Sequence, residues 1–284
     1  MSVAGPPIRS YLYVPGDDSR RIEKALATGA DAVVIDLEDA VAPSRKEEGR
    51  KNAAEVLESE PAKPIFVRVN ALGSELATQD IDAVAGLHLA GLRLPKVESP
   101  EGVRLVAETL EERRSEAGIH CLIESALGLE LAFEIARSHE RVSGMSLGEA
   151  DLAADLGVRD DAGLLYARSR IVSASRAAGL PGPVQSVYTS VKDLEGLHRS
   201  TEEGRSFGFV GRSAIHPSQV PIINEVFTPT EEEVAEAQQL LDRLDSEARS
   251  GTGAFVLEDG RFVDRAVVES ARQTLARRDR EVTS

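Results

Sequence analysis

A (β/α)8 barrel with a small C-terminal appendage is the fold the sequence predicts, and three observations predict it. Eight short apolar runs recur over roughly the first 227 residues, seven of them followed by a helical pattern before the next. Such alternation implies parallel strands joined by crossover helices. Eight units in that length suit a closed barrel of about 250 residues. Polar residues also stand at the C-terminal end of nearly every run, the end where barrels gather their sites. An open doubly wound sheet is the alternative, but it calls for a glycine-rich phosphate turn, and no GxGxxG pattern is present.

The elements follow in order. Tyr11–Val14 reads as a strand ending at Pro15-Gly16; Asp18 or Ser19 caps a helix to about Ala27, stopped by Gly29. Ala32–Leu37 is a β-branched run of the kind found in buried parallel strands, and Ser44–Glu58 is a helix. Ile65–Val69 is a strand and the region near Thr78–Leu87 a helix. Gly91–Pro95 leads into Lys96, and Pro100–Ala117 is a helix with proline in its first turn. His120–Ile123, Val142–Leu147, Pro183–Val187 and Phe209–Ile215 are the remaining strands. Leu127–Ser138, Leu164–Ala178, Asp193–Ser206 and the segment from Ser218 to Val226 are the remaining helices.

Thr228-Pro229-Thr230 marks a boundary between a barrel over 1–227 and an arm over 228–284. In the arm, Glu231–Arg249 is a charged helix with Thr230 as its cap. Gly251–Val263 is a hairpin turning at Asp259-Gly260, and Ala266–Arg278 is a last helix. An appendage this small has a thin core, which suits a lid or a docking arm.

Composition narrows the function. The chain has 284 residues and a formal charge of −15, which argues against general binding of nucleic acid or an anionic membrane. Tryptophan is absent and aromatics are 4%, so base-stacking platforms are not expected. A single cysteine, Cys121, excludes an intrachain disulfide framework and fits a reducing, cytoplasmic setting. Neither a signal peptide nor a membrane span is expected.

The chemistry lies at the strand ends. Asp36, Glu38 and Asp39 follow the second run, Arg68 and Asn70 the third, Lys96 the fourth and Glu124 the fifth. Glu149 and Asp151 follow the sixth, Tyr188 the seventh and His216 the eighth. Three crowded acids need a positive partner, and a hard divalent cation is the simplest; the bland alternative is a strand cap and a solvated loop. Oxygen ligands without a Cys/His cluster favour Mg²⁺ over Zn²⁺, with Glu124 and Asp151 on adjacent strands as ligands and Arg68 on a carboxylate or oxyanion. The competing reading is a plain Glu124–Arg68 ion pair. His216 is either catalytic or a loop former. Lys96 is either a Schiff-base lysine or a phosphate ligand. Arg20, Arg21 and Lys24 form a solvated helix face or meet an anionic tail, and Cys121 belongs to the core.

Seven motifs carry a resemblance: RSYLYVPG, DAVVIDLEDAV, IFVRVN, LRLPKVES, CLIESALGL, SLGEADLAADLG and GRSAIHPSQV. In order and spacing they resemble the citrate lyase β-subunit-like family of the HpcH/HpaI aldolase superfamily, which includes citryl-CoA, malyl-CoA and citramalyl-CoA lyases. The match runs over about residues 9–225, and VLEDGRFVDRAVV extends it. The resemblance implies a barrel that uses Mg²⁺ to cleave or form a carbon–carbon bond in a 3-hydroxyacyl-CoA, giving an acyl-CoA and a 2-oxoacid. It places the metal on Glu124 and Asp151 and the substrate on Arg68, with Glu38 and Asp39 orienting metal waters. Asp264 in RFVD becomes the catalytic acid, often supplied across a subunit interface, with Asp259 a distant second. The phosphates of CoA need local cations, and Arg20, Lys24, Lys96 and Arg212 are the candidates. The chain departs from similar sequences in having Gln185 where Asp is common and Arg212 where Lys is common. The resemblance also implies a homo-oligomer, trimer or hexamer, or assembly with citrate lyase α and γ subunits on an acyl-carrier thioester. A CoA-independent 2-oxoacid aldolase and a silent acyl-CoA binder are the other readings.

Overall fold

Every predicted run is a strand in the computed structural model, which describes residues 8–248, 255–256 and 262–278. The first four are β1 (Ser10–Pro15), β2 (Ala32–Asp36), β3 (Ile65–Arg68) and β4 (Gly91–Leu94). The others are β5 (Gly118–Ile123), β6 (Val142–Leu147), β7 (Val184–Gln185) and β8 (Gly211–Ala214). They close into a parallel barrel in sequence order, with β8 returning to β1. All five residues of β2 are buried, as expected of a strand covered on both faces.

Helices wrap the strands, and small polar residues start them. Asp18 accepts the Arg21 N–H ahead of α1 (Ser19–Leu26). The helix after β2 begins as a short 3-10 turn at Pro43 and continues as α2 (Lys46–Glu58). Ser74 caps α3 (Glu75–Val84), and Ser99 caps α4 (Pro100–Glu112). Each cap satisfies an amide that the helix itself cannot. The helix expected to reach Ala117 stops at Glu112, because the chain turns into a left-handed conformation at Arg114, φ 54°. The helix expected over Leu127–Ser138 is two short pieces, α5 (Ala126–Glu130) and α6 (Ala132–Ala136), broken at Leu131.

An unforeseen helix, α7 (Glu149–Leu156), follows β6 directly and ends at Gly157 with φ 67°. Then come α8 (Leu165–Ala177), α9 (Leu194–Phe207) and α10 (Val220–Phe227).

Ile8–Glu225 forms one compact unit, and the chain from Val226 onward belongs to a second. Within the second, Thr230 and Glu233 cap α11 (Glu231–Ala248) reciprocally: each backbone N–H donates to the other's side chain, at 2.8 and 3.1 Å. α11 packs on α12 (Arg265–Arg278). β9 (Phe255–Val256) and β10 (Phe262–Val263) pair antiparallel, and the expected turn at Asp259-Gly260 lies outside the described residues. Among the described residues no helix is long and apolar enough to cross a membrane.

The barrel interior is apolar around Tyr11, Val34, Phe66 and Val184. His120 sits against this cluster, its ring 4.8 Å from that of Phe66 and 5.8 Å from that of Tyr11. Burial, reinforced by the charge of Arg93, holds its pKa down at about 3. The folded state therefore keeps the ring neutral while the unfolded chain protonates it below about pH 6.5. The contribution is complete above that pH and lost as pH falls toward 3, at about 1.4 kcal/mol per unit. Between pH 7 and pH 5, urea unfolding of the wild type should lose about 2 kcal/mol more than that of His120→Phe. Equal losses in the two proteins would show that His120 titrates normally.

Candidate active site

The C-terminal ends of the strands enclose a cavity of about 470 Å³, and residues from across the sequence line it. Tyr13, Asp36, Arg68, Glu124, Ser186 and Ser213 come from or directly follow six different strands.

Asp36 and Arg68 are register partners on neighbouring strands, so their side chains meet. Arg68 donates to both Asp36 oxygens, Nε at 2.8 Å and Nη2 at 2.7 Å, in the two-pronged geometry that guanidinium favours. Its Nη1 lies 3.0 Å from Glu38 and 3.4 Å from Asp39, and its guanidinium stands 5.2 Å from the Tyr13 ring centre. The Arg68 pKa is raised; burial works against the charge, and the Asp36 hydrogen bond and nearby carboxylates outweigh it.

Lys96 comes from the other side, with Nζ 2.6 Å from Glu38 Oε1. Its pKa is raised, first by that hydrogen bond. Burial raises the pKa of Glu38, opposed by the bonds and charges of Lys96 and Arg68. The backbone beneath is anchored by Lys46, whose buried ammonium donates to the carbonyls of Leu37 and Glu38 at 2.6 Å each. Arg68 and Lys96 thus place positive charge among Asp36, Glu38 and Asp39. Asp39 lines the cavity, whereas Glu38 lies buried beneath its two partners.

Glu124 and Asp151 are placed differently. Glu124 follows β5 and is 8% exposed. It accepts the Lys96 backbone N–H at 2.9 Å, and Arg68 is bonded to Asp36 instead of to it. The simple Glu124–Arg68 pair is therefore not formed. Asp151 lies in the first turn of α7 and lines the same cavity. Burial raises the Glu124 pKa to about 7; the Lys96 amide lowers it, and the charges of Glu38 and Asp151 raise it further. A Cβ at Gly148 would run into this carboxylate, so the residue before α7 has to be glycine for Glu124 to stand where it does.

A buried carboxylate with a neighbouring carboxylate, and with no cationic side chain bonded to it among the described residues, fits a divalent cation. Among the described residues no cluster of three or more His, Cys, Asp or Glu is gathered to hold a metal. Two carboxylates with the remaining positions filled by water and substrate is how Mg²⁺ is usually held.

The other expected residues divide. Arg20 and Lys24 are exposed on α1, while Arg21, one position away, lines the cavity. Arg212 is a correction. It is 3% exposed, donates to Ser186 O, Ser200 Oγ and Thr201 Oγ1, and has no face toward a phosphate. Its Lys-to-Arg departure suits this fork of bonds, which a lysine could not make. Gln185 donates to Ser200 O and packs on Gly204 of α9, away from the cavity. His216 bonds Ser218 through Nδ1 at 2.8 Å and shapes its own loop. Cys121 is buried, and its thiol pKa is pushed up to about 12, so it is inert. Asp264 caps α12, accepting the Val267 N–H at 3.0 Å; Asp259 lies outside the described residues.

Known proteins are similar to this chain over most of its length. The model of the HpcH/HpaI aldolase/citrate lyase family matches residues 9–217. A (3S)-malyl-CoA thioesterase of Cereibacter sphaeroides is 38% identical, covering 95% of this chain and 94% of the relative. The human mitochondrial citramalyl-CoA lyase is 32% identical, over 95% and 85%. Among solved structures, CitE of Mycobacterium tuberculosis in complex with magnesium, acetoacetate and coenzyme A superposes with a TM-score of 0.79 at 33% identity, over 98% of this chain and 99% of that one. With the barrel and these matches together, the chain belongs to the HpcH/HpaI aldolase/citrate lyase family.

Proposed function

We propose that this protein is a Mg²⁺-dependent carbon–carbon lyase that cleaves, or forms, a 3-hydroxyacyl-CoA thioester of the citryl, malyl or citramalyl type. The observation that carries the reading is Glu124: a buried carboxylate beside Asp151, left without a cationic side chain while Arg68 and Lys96 are engaged with the acids of the β2 loop. The magnesium and coenzyme A held by the M. tuberculosis CitE structure support it. Mg²⁺ held by Glu124 and Asp151 would supply Lewis-acid stabilisation of oxygen anions.

The protein's own groups then have distinct tasks. Asp36 fixes two of the Arg68 donors, which presents the guanidinium to the cavity without cost of reorganisation. Arg68 steadies negative charge on the thioester oxygen as the bond breaks. The hydroxyl of the substrate gives its proton to solvent water in the cavity and becomes the carbonyl of the 2-oxoacid, and Asp264 takes its own proton back from solvent between turnovers. The bonding pair moves to the thioester α-carbon as an enolate, and Asp264 protonates that carbon. In the condensing direction Asp264 removes the same proton. Residues 228–284 act as a lid or swapped arm that delivers it, within a homo-oligomer. The phosphates of CoA meet Arg20, Lys24 and Lys96, with Arg21 lining the cavity beside them.

A panel of 3-hydroxyacyl-CoA thioesters, incubated with the isolated protein with and without Mg²⁺, tests this. The expected products are a 2-oxoacid and an acyl-CoA in equal amounts, without free thiol. The thioesterase relatives favour one other outcome, release of free CoA thiol with the hydroxyacid intact. Cleavage that persists in excess chelator would overturn the metal assignment. No turnover on any free CoA ester, with turnover on an acyl-carrier thioester, would assign the chain to a citrate lyase assembly.

A further inference from the structure

Two buried polar side chains on the cavity wall have donors with nothing to bind. Arg93 projects from β4 into the barrel and is 0% exposed. Its Nη1 donates to Tyr13 Oη at 2.9 Å and Ser213 Oγ at 3.1 Å, and its guanidinium stacks over the Tyr11 ring at 4.4 Å. Both of those acceptors are neutral hydroxyls. Nε and Nη2 have no partner. Ser146, from β6, is also buried, and its hydroxyl is likewise unpartnered. Arg93 and Ser146 line the same cavity as Glu124 and Asp151.

Among the described residues no carboxylate pairs with this guanidinium, which is buried among aromatic rings and hydroxyls, and a buried charge is tolerated only when paired. Its unused donors, Nε and Nη2, make up the fork that a carboxylate matches, and a carboxylate can accept from a hydroxyl as well. Hydrogen or a methyl group in the same place would leave Nε, Nη2 and Ser146 Oγ as they are.

We propose that Arg93 and Ser146 form an anion subsite that takes a second carboxylate on the hydroxyacid half of the substrate. This inference rests on the lyase reading above and sharpens it. Substrates whose carbinol carbon bears a carboxymethyl arm are preferred to those bearing hydrogen or methyl, so the 2-oxoacid released is dicarboxylic. Arg93 thereby sets specificity, while Arg68 serves the reacting oxygens.

Binding of the oxoacid half alone tests the subsite without relying on turnover. Full-length protein in Mg²⁺ is titrated calorimetrically with oxaloacetate and with pyruvate, which differ by one carboxylate. The wild type should bind oxaloacetate about ten- to a hundredfold more tightly, the worth of charged hydrogen bonds that one ligand makes and the other does not. Arg93→Met should bring that ratio near one, and Ser146→Ala should lower it several-fold. Ser146→Ala and Arg93→Lys carry the test if Arg93→Met does not fold. Equal affinities in the wild type, or a ratio that survives in the folded variants, would overturn the subsite while leaving the lyase reading intact. Failure of both acids to bind the wild type would remove the lyase reading, and the subsite with it.

Discussion

Glu124→Gln abolishes Mg²⁺-dependent turnover, with kcat/KM falling by at least about a thousandfold, the scale expected when a main electrostatic element of a site is removed. The substitution keeps the volume of the side chain and an acceptor for the Lys96 amide, so the barrel should fold as before. Stability should move the other way. Burial raises the Glu124 pKa to about 7, well above the usual glutamate range. Protonated Glu124 is the form the fold prefers, so the cost of its charge is absent below about pH 4.5 and complete above about pH 7. At pH 8 the metal-free wild type carries a penalty on the order of 3 kcal/mol that glutamine lacks. Thermal unfolding at pH 8 in chelator should show Glu124→Gln more stable than the wild type, and added Mg²⁺ should raise the Tm of the wild type alone. Opposite signs for activity and stability are what a binding residue gives and a structural ion pair does not. Full activity of Glu124→Gln on an acyl-CoA would sink the metal assignment.

The strands were legible because buried parallel strands announce themselves as β-branched runs. The acids at their ends were legible because charge does not otherwise end such a run. Crowded acids such as Asp36, Glu38 and Asp39 need positive charge near them, and sequence alone does not show that Arg68 and Lys96 bring it. Arg68 is 32 residues from Asp36 in sequence. Only the pairing of β2 with β3 in register brings the two together. Helix α7 is not expected from the sequence, where Glu149 and Asp151 only follow a strand; Gly157, in the left-handed conformation at its end, is its one signal there. Arg93 was passed over inside an apolar run, GLRL, where one charge looks like noise. Alternation along the strand puts it on the inner face, which is the clue that was there to use. Arg212, a sequence candidate for the CoA phosphates, differs for a related reason: sequence shows that a residue is charged but not which neighbours already satisfy it.

Arg68→Ala should cost the fold about 3–5 kcal/mol as well as removing activity, because it leaves buried carboxylates unpaired. Asp36 is 2% exposed and takes both prongs of the guanidinium. It also accepts the backbone N–H groups of Glu38 and Ala40 at 3.0 and 3.1 Å, so its charge organises the loop that carries Glu38 and Asp39. Removing the arginine leaves Asp36 dependent on those amides and loosens Glu38, which then relies on Lys96. Arg68→Lys separates the two tasks. Lysine restores positive charge near Asp36 and should recover part of the stability, but it offers no planar fork and cannot hold Asp36 while facing the substrate. Urea unfolding should therefore rank wild type above Arg68→Lys above Arg68→Ala, while steady-state assays find both variants reduced by at least about a hundredfold in kcat. The double variant Arg68→Ala/Asp36→Ala supplies the control: Asp36 is then no longer left as an unpaired buried charge, so stability should lie above that of Arg68→Ala, though below the wild type because the Glu38 and Ala40 amides lose their acceptor, without any return of turnover. Recovery of activity in that double variant would mean that Arg68 is present only to neutralise Asp36. Stability that stays as low as in Arg68→Ala alone would mean that the pair is not what holds the β2 loop.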